Sequence, residues 1–235
     1  MYPTIESIWP LTFAGQMNQL SNSLCFGKYN TWNNWGLITT ALVIEPPELK
    51  TNYIDLGGVS GTIDLTEALS EQPVYKDRRL KATFWTRQGT RQEREQLLQG
   101  VLRAIHGRKL KITVPDTPGS YFFGRVAVKE VTRHERHLQF SIEAICDPWR
   151  YDNNFSKHSY TVDGTQEIKL YNHGVAVLCP DITVTGTVTF TCNGVTTTAS
   201  DGTYKIATFK LFEGENIIGL SGSGTLTLRY REATL

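Results

Sequence analysis

Apolar side chains recur along this chain at two spacings. Leu138, Phe140, Ile142, Ala144 and Cys146 alternate with Gln139, Ser141, Glu143 and one apolar exception, Ile145, which is the period of a strand with one buried face. Tyr121-Phe122-Phe123-Gly124-Arg125-Val126-Ala127-Val128-Lys129-Glu130-Val131 alternates similarly, and the polar Arg133-His134-Glu135-Arg136-His137 lies between, predicting an antiparallel pair. Leu80-Lys81-Ala82-Thr83-Phe84-Trp85-Thr86 and Leu110-Lys111-Ile112-Thr113-Val114 predict further strands. Between these two the spacing becomes helical. Leu97, Leu98, Val101, Leu102 and Ile105 form one apolar stripe. Thr90 with Glu93 three residues on makes a capping box, and Gly107 stands where a helix-ending glycine belongs. A helix is predicted over residues 91–106, packed on a sheet, with His106 serving the terminal carbonyls.

The texture changes at Cys146-Asp147-Pro148-Trp149-Arg150-Tyr151, where Pro148 cannot donate to a ladder and the amide-rich Asp152-Asn153-Asn154 follows. Beyond it charge thins, Thr and Gly rise, and short strands recur every 8–12 residues or so, the rhythm of a β-sandwich. Ile182-Thr183-Val184 and Val188-Thr189-Phe190-Thr191-Cys192 are two of these strands, and Asn193-Gly194 is a hairpin turn with positive φ at both positions. Glu213-Gly214-Glu215-Asn216 and Gly222-Ser223-Gly224 are predicted as further turns, the last before a final strand over residues 225–230. The expectation is a mainly β chain with one principal helix, in two domains spanning 1–150 and 151–235.

With 235 residues, 40% hydrophobic and 20% charged, each half can build a core and neither reads as disordered. A net charge of +1 gives a polyanion no general attraction, so sequence-specific nucleic-acid binding is not expected. The clusters Arg78-Arg79-Lys81 and Arg108-Lys109-Lys111 are read as solvating loops and strand ends. Met1-Tyr2-Pro3-Thr4-Ile5-Glu6 lacks the basic start of an export signal, and no apolar run reaches membrane-span length, so synthesis in a cytoplasm is expected. Cys25, Cys146, Cys179 and Cys192 form no C-x-x-C pair, and Cys146 and Cys192 fall on the apolar phase of strands as buried thiols.

Catalytic chemistry finds little support. His134 and His137 are three residues apart in a turn, not four on a helix, so no metal is expected there. Gly57-Gly58-Val59-Ser60-Gly61 leads into Ile63-Asp64-Leu65 rather than a helix, which suits a hairpin better than a phosphate cradle. Asp64 and Glu67 read as turn carboxylates before they read as an acid–base pair. His158 and His173 have no partner that the sequence names. No cofactor is expected, and the chain is read as not an enzyme.

Residues 27–69 gather aromatics, amides and turn formers without a catalytic group, a composition suited to protein contact. Trp32 and Trp35 are read either as core aromatics or as part of a subunit contact, with stacking on sugars a third use. Residues 50–75 are predicted as a hairpin arm reaching a neighbouring subunit. Candidate interface residues are Tyr29, Trp32, Trp35, Ile54, Ile63, Asp64, Leu65 and Thr66.

Taken in order, several motifs resemble those of siphophage distal tail proteins. They are the aromatic segment over residues 29–35, Asp64-Leu65-Thr66-Glu67-Ala68-Leu69, Ile105-His106-Gly107-Arg108-Lys109-Leu110, Cys146-Asp147-Pro148-Trp149, Gly214-Glu215-Asn216-Ile217-Ile218 and Leu228-Arg229-Tyr230-Arg231. The resemblance implies a homohexameric hub ring at the distal end of a virion tail, with a central channel for DNA. It implies an N-terminal, split β-barrel-like ring domain and a C-terminal galectin-like β-sandwich. Its implied partners are further copies of itself, the tail-tube protein, the tail-associated baseplate hub protein and receptor-binding proteins. A galectin-like fold does not carry sugar binding with it; the competing reading, from another class, is a carbohydrate-binding adhesion module on the host surface.

Overall fold

The computed structural model describes residues 22–58, 60–68, 72–86 and 89–235. The reading of Met1 to Glu6 as lacking an export signal therefore lies outside the described residues, as do Val59 and Leu69 of the motifs above. Two compact units divide the chain between Pro148 and Trp149.

In the first unit the elements run β1 (Cys25–Phe26), β2 (Tyr29–Asn30), α1 (Thr31–Trp35), β3 (Ile38–Ile44), β4 (Tyr53–Asp55), β5 (Thr62–Asp64), β6 (Arg78–Trp85), α2 (Arg91–Ile105), β7 (Lys109–Thr113), β8 (Ser120–Arg133) and β9 (Leu138–Cys146). The main sheet has the order β2-β1-β7-β8-β9-β6-β3, with antiparallel pairs throughout. Register puts matching apolar phases side by side: Leu80 faces Ala144, which faces Val126, and Phe84 faces Phe140. Leu98, Val101 and Ile105 of α2 join the same buried cluster, so the helix covers the apolar face of the sheet. Burying each such side chain contributes about 1.5–3 kcal/mol.

The capping box forms as the sequence spacing requires. Glu93 N–H donates to Thr90 Oγ1 at 3.2 Å, and Thr90 N–H donates to Glu93 Oε2 at 2.8 Å. Three details of this unit differ from expectation. The helix ends at Ile105, and His106 is its C-cap residue. The imidazole of His106 does not serve the helix carbonyls; its Nδ1 accepts the Val128 N–H at 3.1 Å and ties the helix exit to β8. Arg78 does not solvate a strand end. It is buried, donates from Nε to Pro148 O at 2.8 Å, and lies over the Phe122 ring at 5.2 Å.

The second unit contains β10 (Arg150–Asp152), β11 (Ser156–Asn172), β12 (Asp181–Cys192), β13 (Val195–Ala199), β14 (Gly202–Lys205), β15 (Gly214–Tyr230) and β16 (Ala233–Thr234). Its sheet has the order β11-β15-β12-β13, β14 also pairs with β12, and β10 pairs with β16. Asn193 and Gly194, at φ 49° and 76°, close the β12–β13 hairpin.

The predicted short strands are here a few long ones. The segments at 182–184 and 188–192 are one strand, β12, and Gly222-Ser223-Gly224 is not a turn but the middle of β15. Nor do residues 213–216 form a full turn. Gly214 already opens β15, and Asn216 holds the bend by accepting the Phe212 N–H at 2.9 Å and donating to Phe212 O at 2.8 Å.

The physical reason for the continuity is a row of glycines in register. Gly164 pairs with Gly222 and Gly186 pairs with Gly224. A Cβ at Gly224 would collide with Thr185 O, and one at Gly222 with Thr187 O. Bare glycines let the backbones approach and bend there without interrupting the ladder. Side chains from both sides of the row, including Val184, Phe190, Leu220 and Leu228, enter a single buried cluster. The mainly β expectation holds, and among the described residues the helices are α1 of 5 residues and α2 of 15.

Candidate assembly surface

The asparagine-rich segment is explained largely by its own local structure. Asn30 caps the single turn α1, its Oδ1 accepting from Trp32 N–H at 3.0 Å and Asn33 N–H at 2.8 Å. Asn34 Oδ1 in turn accepts the Asn30 N–H at 2.7 Å, and buried Thr31 accepts the Leu24 N–H at 3.0 Å. Gly36, at φ 61°, ends the turn in the left-handed conformation that glycine adopts without strain. This scaffold stacks Tyr29 on Trp35, ring centroids 5.4 Å apart, and packs both against the core of the unit. Trp32 is half-buried.

The other candidate residues sit on a separate ribbon. β4 and β5 pair as an antiparallel hairpin in which Ile54 faces Ile63 and Tyr53 faces Asp64. Its base is closed by side chains. Asp64 Oδ1 accepts the Thr66 N–H at 2.9 Å, Thr66 Oγ1 accepts the Asn52 N–H at 3.1 Å, and Leu65 N–H donates to Asn52 O at 2.8 Å. The hydrogen bonds from Thr66 hold the Asp64 carboxyl below the usual carboxylate range. Tyr53, Ile54 and Ile63 are 57%, 41% and 44% exposed, and Leu56, Leu49 and Val74 of the same arm are exposed too. The predicted residues thus fall into two groups: an aromatic stack held inward, and a ribbon that carries its apolar side chains into solvent.

A second feature includes two residues of the basic cluster Arg108-Lys109-Lys111, which the sequence alone assigns to solvating loops and strand ends. On β7 and β8, Lys109 Nζ lies 4.8 Å from the Phe123 ring centroid and Lys111 Nζ lies 4.4 Å from that of Tyr121. Lys109 faces Arg125 across the strands, and Lys28 at the neighbouring β1–β2 turn lies over Tyr29 at 5.3 Å. The signal was present in the alternation of Lys109 and Lys111, but their diagonal approach to Phe123 and Tyr121 requires the strand register to be seen.

Other histidines and the cysteines at 146 and 192 pack against neighbouring side chains or lie buried. His134 and His137 stack ring on ring at 4.3 Å, and His137 also packs on Trp85 at 4.7 Å. Burial, then the charges of His134 and Arg94, lower the His137 pKa. Burial pushes the Cys146 thiol up to about 12, with Asp147 adding to the shift, and Cys192 is likewise buried and raised. His158 stacks on Tyr230 and His173 packs on Tyr171. Among the described residues no group of three or more His, Cys, Asp or Glu side chains is placed to hold a metal, and no helix is long and apolar enough to cross a membrane.

This fold has a solved counterpart. It is the SPP1 Dit (gp 19.1) protein, described as a paradigm of hub adsorption apparatus in phages infecting Gram-positive hosts. The likeness has a TM-score of 0.67 at 13% sequence identity and covers 91% of this chain and 99% of that one. No family model and no curated protein matches the sequence.

Proposed function

We propose that the chain is a structural protein of a phage tail tip, the hub of an adsorption apparatus rather than an enzyme. The observation that carries this reading is the extent of the likeness to SPP1 Dit, which takes in 91% of this chain and 99% of that one. A likeness of nearly whole molecules, through both units, favours a shared role more than a shared module would.

In this reading six copies close into a ring at the distal end of the tail, around a channel that passes DNA. The first unit, within 1–150, builds the ring and docks on the tail tube. The second, within 151–235, is the galectin-like part and projects outward toward baseplate and receptor-binding proteins. A closed ring requires head-to-tail contacts between two different surfaces of each copy. The exposed arm with Tyr53, Ile54 and Ile63 supplies one such surface, because apolar side chains held in solvent gain most from a neighbour.

Mass photometry of the purified chain at about micromolar concentration, with negative-stain imaging, tests the proposal. Six-fold rings are expected. A strict monomer in every salt, even with tail-tube and baseplate proteins added, sinks it.

A further inference from the structure

The two faces of the arm ribbon differ. Residues directly opposite in a two-stranded ribbon share a face, so Ile54 and Ile63 form an aliphatic side, while Tyr53, Asp55 and Asp64 form an acidic and aromatic one. Over residues 45–77 acidic side chains outnumber Lys50 and Lys76, and Lys76 is itself paired with Glu48 at 3.0 Å. The outer side of β7 and β8 has the opposite character: Lys109, Lys111 and Arg125 interleaved with Tyr121 and Phe123, and Lys28 at its margin.

The spacings also correspond. Lys109 and Lys111 are two residues apart on one strand, about 7 Å. Asp55 and Asp64 are diagonal neighbours on one ribbon face, about 7–8 Å apart. Lys109 already has a partner in Asp147 at 3.0 Å, and Arg125 donates to Gly107 O at 2.6 Å, so Lys111 is the cation best placed to meet a new carboxylate.

Resting on the ring reading above, we propose that the acidic, aromatic face of the β4–β5 ribbon docks on the basic, aromatic β7–β8 face of the next copy, with Asp55 set against Lys111. The occupant is a second copy of this chain. The two surfaces are complementary in charge, both carry aromatic area, and they are different patches of one molecule, as head-to-tail closure demands.

Reciprocal charge reversal tests the pairing. Asp55→Lys and Lys111→Glu should each raise the concentration needed for half assembly about tenfold or more, since each places like charges together. The double variant should recover most of that loss. Rising salt should weaken assembly of the parent chain, because screening contracts to about 3 Å at 1 M. Melting curves of each variant establish that the monomer is folded. Rings from the parent chain together with parent-like assembly of both single variants overturn the docking and leave the hub reading standing. So does a double variant no better than the worse single one. A parent chain that stays monomeric overturns both.

Discussion

In the first unit the apolar face of the sheet is covered by a helix, whereas in the second the sheet bends so that its own strands share one core. The difference shows in what each leaves outside. Covering by α2 frees the connection between β3 and β6 from core duty, and it extends as a ribbon with Ile54 and Ile63 in solvent. The outward side chains of the second unit's strands are largely hydroxyls that satisfy one another. Ser159 bonds Thr227 at 2.9 Å, Thr183 bonds Thr203 at 3.1 Å, Thr189 bonds Thr198 at 2.8 Å, and Thr191 bonds Thr196 at 2.9 Å. Its exposed Phe155 has the guanidinium carbons of Arg229 and Arg231 over its ring, 3.8 Å and 4.0 Å from the centroid. The second unit also exposes Tyr171 and Ile217, but one on each of two long strands, whereas the first carries its exposed Tyr53, Ile54 and Ile63 together on one ribbon, which is why the proposed ring contacts are assigned to the first unit.

Dividing the chain is the largest test of that contrast. A fragment ending at Pro148 should fold and still form rings, and one starting at Trp149 should fold as a monomeric β domain, both checked by circular dichroism and native mass. A folded but monomeric first fragment beside an associating second one would reverse the assignment. Glycines sharpen the contrast next. Gly224→Val forces a side chain into the Thr185 carbonyl and should cost the second unit more than about 4 kcal/mol, seen as loss of its melting transition. Gly57→Ala, on the ribbon turn where a Cβ meets nothing within 4 Å, should leave folding within about 0.5 kcal/mol. Thr90→Ala removes the cap of α2 and should cost the first unit about 1 kcal/mol in denaturant unfolding, without touching the second.

The smallest effect is one of pH. The folded-state pKa of His137 lies below its ordinary 6.5, so the folded state binds fewer protons there than the unfolded one. Its contribution is full above about 6.5 and is lost as pH falls through the lower folded value. Melting temperatures of the first fragment measured across that range should fall on the acid side, and His137→Phe should flatten the slope.

The sequence was most legible where one residue type has one physical use. Thr90 with Glu93 marks a helix start, Asn193-Gly194 marks a two-residue turn, and the stripe at Leu98, Val101 and Ile105 marks a buried helix face. It misled where one residue type has two uses. Gly222 and Gly224 look like turn formers, but here they remove side chains so that β12 can approach, a role visible only with the register in hand. Arg94 is not among the apolar residues of the α2 stripe. It is buried because its guanidinium donates to Gly89 O and Glu135 O, which no local pattern announces. Asn30 has a local use as the N-cap of α1, and Asn34 accepts the Asn30 N–H, uses that no composition count announces. The ribbon over residues 53–64 was legible from alternating residues around glycines, and so was the basic run at Lys109 and Lys111, but not its interleaving with Tyr121 and Phe123.

The glycine row also dictates which changes of length the second unit can absorb. Even-numbered residues point inward on both sides of it: Ile182, Val184, Val188 and Phe190 on β12, and Ile218, Leu220, Leu226 and Leu228 on β15. The bend therefore leaves parity unchanged. Inserting one residue beyond it would turn Leu226 and Leu228 out and Thr225 and Thr227 in, inverting half a strand at once, while inserting two would keep inside and outside as they are. Related chains should thus differ in the length of these strands by even numbers, an arithmetic imposed by a few absent side chains.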